Sequence, residues 1–219
     1  MKLGFYGHSN CAYRGEDSYI DILAKRVNAT IVNTGVRQGS EERILWELKK
    51  TKNIDLAIIF HSWPSCLFLP GCDRDVTIND LGDDRCHYLF DKNKYDHYTE
   101  KHHRKFIEKF KTPENFYNQI NSFKEFFYDS DLMMNRYYGS LIQIDQYLQF
   151  KNLKSIHVLI KNNFPNWFNF SSGIIDKDSE IIINQNKSTN FDQINGLTKK
   201  GNILLAEHLE KIIKLCGPW

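Results

Sequence analysis

"KLGFYGHSN", residues 2–10, decides how the rest of the chain is read. A short apolar stretch runs into Gly7, His8, Ser9 and Asn10, and a helical pattern resumes only in "EDSYIDILAKRVN", residues 16–28. A strand that stops at a glycine and exposes a small hydroxyl residue presents either a nucleophile or a ligand-binding backbone amide. The same glycine and serine would also serve as a tight turn and a helix cap.

The first sixty residues alternate between strand-like and helical patterns. The helical stretch has apolar residues at Tyr19, Ile20, Ile22, Leu23 and Val27, with Glu16, Asp17 or Ser18 as candidate caps. "ATIVNTG", 29–35, is β-branched and ends on Gly35, which predicts a second strand. "SEERILWELKK", 40–50, places Glu41 and Glu42 in its first turn and Lys49 and Lys50 in its last, the charge order a helix dipole favours. "IDLAIIFHS", 54–62, is apolar throughout and reads as a central parallel strand. This β-α-β-α-β order with right-handed crossovers predicts strand ends after residues 6, 34 and 60 along one sheet edge, where ligands of such sheets bind.

Beyond residue 66 the pattern changes. Residues 94–129 are polar, aromatic and mostly helical, with Pro113 starting a helix, so 66–130 reads as a helical insertion. Residues 131–152 predict an amphipathic helix, 153–160 a fourth strand, 180–184 ("EIIIN") a short strand, and 201–216 a C-terminal helix. The expected fold class is α/β: a three-layer α/β/α arrangement on a parallel central sheet, forming one domain over 1–219 with its insertion at about 66–130.

The 29 basic and 27 acidic side chains leave a formal charge of +2, which gives no global case for nucleic acid or a membrane surface. No apolar run approaches the roughly 20 residues that span a bilayer. Five cysteines, an odd number without a signal-peptide pattern, predict a reducing, cytoplasmic setting. Cys66 and Cys72 with Cys86 and His87 offer zinc-type ligands at a poor spacing, and residues 70–84 lack the alternation of a calcium loop, so no metal or cofactor is expected. Residues 101–111 fit a solvated amphipathic helix better than a nucleic-acid patch, with Phe106 and Phe110 turned to the core. The aromatic "FPNWFNF", 164–170, fits a covering loop better than a sugar platform.

Both ends of the chain resemble the SGNH, or GDSL-type, hydrolases. The carrying stretches are residues 5–62, with the turn at 7–10 and the strand end at 33–35, and "LTKKGNILLAEHLEKI" at 197–212; the two ends match and the middle of the chain does not. The resemblance implies a flavodoxin-like sheet and an acyl esterase acting on a small-molecule or carbohydrate ester. It assigns the nucleophile to Ser9 and oxyanion amides to Ser9 and Gly39. The family's Gly-x-Asn block is replaced by "HSWPS", which leaves His61 and Ser62 in that place. Its Asp-x-x-His block reads Asp192-Gln193-Ile194-Asn195, with Asn195 where the general base belongs.

Asparagine accepts no proton at useful pH, and removing the base of a comparable triad costs about six orders of magnitude in rate. His61, at the end of a central strand on the edge that carries Ser9, is the expected substitute, with Asp192 as its orienting partner and Ser62 and Asn195 lining the ligand site. His8 would point away from Ser9; His157 and His208 fit structural roles; His97, His102 and His103 fit a solvated face. The alternative is a catalytically impaired SGNH-like module that binds or assembles. The altered motif and Asn/Lys-rich composition also resemble SGNH-like proteins of tailed phages, which would imply association with a virion.

Overall fold

In the computed structural model the residues described are 1–12, 15–36, 39–72, 75–77, 105, 107–159, 168–188, 196–215 and 217, with the backbone alone at 9, 76, 77, 124 and 127. Strands β1 (Lys2–Gly7), β2 (Thr30–Asn33) and β3 (Leu56–Phe60) alternate with helices α1 (Tyr19–Arg26) and α2 (Glu41–Lys50). Their starts follow local chemistry. Ser18 caps α1 by accepting from the Ile20 amide, and Ser40 caps α2 by accepting from the Arg43 amide. Lys25, Arg26, Lys49 and Lys50 sit in the last turns, against the negative ends of the two dipoles.

After β3 the chain forms a two-stranded antiparallel hairpin, β4 (Cys66–Leu67) and β5 (Val76–Thr77), which the sequence pattern did not suggest. Buried Arg43 holds this segment to α2. Its guanidinium meets Asp75 Oδ1 at 2.8 Å and donates to the carbonyls of Leu69 and Cys72 at 3.0 Å each. Helix α3 (Pro113–Phe127) begins at the expected proline, with Thr112 as its cap, and α4 (Ser130–Phe150) begins after Asp129. The expected helical character of 78–104 and the core position of Phe106 fall outside the described residues.

Strand β6 (Lys154–Val158) joins β3, and β7 (Ile174–Asp176) joins β6, both parallel. Residues 180–184, expected as a strand, instead lie in helix α5 (Asp178–Gln185). The reason is a cap: Asp176 Oδ1 accepts from the amides of Asp178 and Ser179 at 3.0 and 3.2 Å, which starts a helix despite three consecutive isoleucines. Helix α6 (Lys199–Leu215) closes the fold.

The main sheet has five strands in the order β2-β1-β3-β6-β7 and every pairing is parallel. Helices α1 and α6 pack on one face, around Leu23, Leu205 and Leu209, and α2 and α4 on the other, around Ile44, Leu48, Ile144 and Leu148. This is the three-layer α/β/α arrangement on a parallel sheet, with the flavodoxin-like strand order. The order reverses between β1 and β3, so the C-terminal ends of those two strands flank the crevice where such sheets bind ligands. Among the described residues no helix is long and apolar enough to cross a membrane.

Candidate functional site

At the switch point β1 ends on Gly7 at φ +124°, where a Cβ would lie 1.9 Å from the Phe60 carbonyl oxygen. Only glycine lets the chain press so closely on the end of β3. A 3₁₀ turn, Ser9–Cys11, follows, closed by the Cys11 amide donating to His8 O at 3.0 Å. The loop after β2 folds onto this turn: the Gly35 amide donates to Cys11 O at 2.9 Å and the Val36 amide to Gly7 O at 3.2 Å. Gly39 packs there as well, since a Cβ on it would come 2.5 Å from Gly7 O. The Gly39 amide donates to Val36 O at 3.2 Å, so an oxyanion would have to share or displace that bond.

Across the switch point, β3 delivers His61 and Ser62, both buried. Glu41, the first residue of α2, turns inward rather than to solvent and is 1% exposed. Its Oε1 accepts from the Ser62 amide at 2.7 Å, and its Oε2 lies 3.0 Å from His61 Nδ1. The other nitrogen, His61 Nε2, lies 2.9 Å from Nδ1 of fully buried His157 on β6. His157 Nε2 in turn lies 2.9 Å from the Ser172 carbonyl and 3.0 Å from Ser155 Oγ.

The two imidazoles are near coplanar, 11° apart, and Phe170 stacks on both. Burial, then the neighbouring His61, holds His157 well below the usual imidazole range, so its ring stays neutral. From α4, Asp145 fixes the far end, accepting from the Ser171 and Ser172 amides and from the Ser172 hydroxyl at 2.8 to 3.1 Å.

The tertiary fold thus brings His61 and Ser62 together with Glu41 and His157, one strand away from the turn that carries Ser9. Asp192 and Asn195 lie outside the described residues. Glu41 escaped the sequence reading because two acids in a first turn are explained by the dipole alone, and nothing local says which one turns inward. Asp176 escaped it too. That carboxylate caps α5 and meets His208 Nε2 at 3.0 Å, at the end of the edge strand β7. At the mouth, His8 and Trp63 face each other, 6.2 Å between ring centroids and 13° apart. No cluster of His, Cys, Asp and Glu suited to a metal occurs among the described residues.

Neither the protein-family models nor the curated proteins include a match to this chain. Among solved structures, it is similar to a Desulfitobacterium hafniense DCB-2 protein assigned to the G-D-S-L family of lipolytic proteins. The identity is 14%, the TM-score 0.34, and the match covers 96% of this chain and 98% of that one. A likeness at that level bears on neither reaction nor residues, and the fold assignment rests on the strand order.

Proposed function

We propose that the chain is a serine hydrolase acting on a small-molecule or carbohydrate ester at the β1/β3 switch point. The observation that carries this reading is the buried Glu41–His61 pair, a carboxylate on one ring nitrogen of a histidine, at the end of the strand that adjoins β1. In acyl transfer such a carboxylate fixes the imidazole and stabilises the imidazolium that forms. In this reading Ser9 attacks the acyl carbon, and His61 takes its proton and returns it to the leaving alcohol. Glu41 replaces Asp192 as the orienting group, the amides of Ser9 and Gly39 steady the oxyanion, and His8 and Trp63 flank the bound ester.

One observation favours a second reading, a ligand-binding module without turnover. His61 Nε2, the nitrogen that would face a serine, is engaged by His157, and His61 is only 2% exposed. A fluorophosphonate probe separates the two. Labelling of the wild-type chain that disappears in Ser9→Ala supports the hydrolase; a folded wild-type chain that takes up no probe leaves the binding module.

A further inference from the structure

The hydrogen-bond chain through His61 fixes its own proton count. Ser172 O is a carbonyl and only accepts, so His157 Nε2, 2.9 Å away, carries a hydrogen. Ser155 Oγ spends its hydrogen on that same carbonyl at 2.8 Å and is an acceptor toward the ring. The link from His157 Nδ1 to His61 Nε2 needs a second hydrogen, and the link from His61 Nδ1 to Glu41 Oε2 a third. An ionised carboxylate and two neutral imidazoles bring two. The intact chain therefore holds one proton in excess and has no net charge, an arrangement far cheaper to bury than an unpaired ion.

The excess proton sits at the Glu41–His61 end, because burial and His61 together disfavour charge on His157. The Nδ1 lone pair of His157 is then free to accept from His61 Nε2. We propose that His157 is a lock on His61: a positioning residue whose tautomer, set by Ser155 and Ser172, captures the His61 Nε2 hydrogen and keeps that nitrogen from serving as a base while the chain is intact. The proton count stands on the geometry and its placement on that geometry together with the burial of His157, whereas its consequence for Ser9 rests on the hydrolase reading above.

Release follows from the same count. When the chain gives its excess proton to a water or buffer base, His61 keeps Nδ1–H on Glu41 and its Nε2 becomes bare. Two nitrogen lone pairs then face each other across the same link, and their repulsion opens it. The ring is left with a basic nitrogen that can turn to a new donor. Titratable groups around the chain include Glu41 on α2, His157 on β6, and Tyr137 and Asp145 on α4. Tyr137 is kept neutral by burial, reinforced by the nearby Glu41, and Asp145 faces the Ser171 and Ser172 amides.

Nitrogen-15 NMR of the histidine rings in the full chain at neutral pH reads the placement directly. The expected spectrum has neutral His157 protonated on Nε2 and His61 protonated on Nε2; a hydrogen on His157 Nδ1 would overturn the lock. Fluorophosphonate labelling reads its consequence. His157→Phe keeps a ring of similar size without the acceptor and is expected to speed labelling of Ser9 about tenfold, the worth of one hydrogen bond from a charged donor. His157→Asn, which keeps an acceptor oxygen near the Nδ1 position, is expected to label at the wild-type rate. A folded His157→Phe chain that labels no faster than wild type refutes the lock. If none of the three forms is labelled, the hydrolase reading falls and the lock on catalysis with it, and the NMR result still decides where the proton sits.

Discussion

The two faces of the central sheet are made by the same strands and put them to opposite uses. Toward α1 and α6, Leu3, Phe5, Ile58, Phe60, Ile156 and Val158 pack against Leu23, Leu205, Leu209 and Ile213. Toward α2 and α4, Tyr6, Ala57 and Ile59 pack on Ile44, Leu48, Ile144 and Leu148, but along β6 this face turns polar. There Ser155 and His157 alternate with Ile156 and Val158, because successive side chains of a strand point to opposite sides. Burial on the first face stabilises the fold through apolar area at roughly 25 cal/mol per Å². On the second it carries a desolvation cost that is offset only because each polar atom of the chain finds a partner.

Substitutions probe that division. The largest effect is expected for Glu41→Ala, which strips His61 and Ser62 of their shared acceptor; loss of one partner of a buried charged pair costs about 3 to 5 kcal/mol. Urea unfolding measures it, with Glu41→Gln losing less because it keeps an acceptor. A loss well below 1 kcal/mol for Glu41→Ala would mean the polar end is not a coupled unit. Next, Leu209→Ala on the apolar face should cost about 3 kcal/mol through cavity formation. It should leave the labelling of Ser9 unchanged under conditions where the variant is folded.

Stability should also fall with pH through His157. An unfolded imidazole titrates near 6.5, whereas His157 in the fold stays neutral to well below that. As pH falls through about 6.5 the unfolded chain therefore binds the extra proton first, and the His157 contribution to stability is lost with a slope approaching about 1.4 kcal/mol per pH unit. Thermal melts between neutral and mildly acidic pH should show it, and His157→Phe should flatten it. An unchanged slope in that variant would assign the acid sensitivity elsewhere.

The smallest effect is expected for Tyr19→Phe. The Tyr19 hydroxyl is buried on the apolar face and finds no hydrogen-bond partner among the described residues. Removing it should raise stability by up to about 1 kcal/mol in chemical denaturation, and a clear loss instead would expose a partner.

Much of the architecture was legible locally. Ser40 and Pro113 marked helix starts, the cap of α1 was narrowed to Glu16, Asp17 or Ser18, Gly7 marked the end of β1, and the apolar run at 56–60 announced the central strand. The failures have a common cause. The isoleucines at 181–183 suit a strand by propensity, yet Asp176, a few residues earlier, starts a helix by capping it. The hairpin of Cys66–Leu67 with Val76–Thr77 is too short to show a period, and Arg43 from another element holds it in place.

By itself, then, the sequence determined the β-α-β-α-β order of the first sixty residues, the parallel sheet and the turn that brings Ser9 to its edge. Periodicity, capping and glycine geometry act within a few residues, and each is written in adjacent letters. What only the tertiary structure decided is the company His61 keeps. Glu41, His61 and His157 come from three separate elements, each unremarkable in its own segment. Their proton count exists only once folding has removed the water that would otherwise satisfy every nitrogen and oxygen independently.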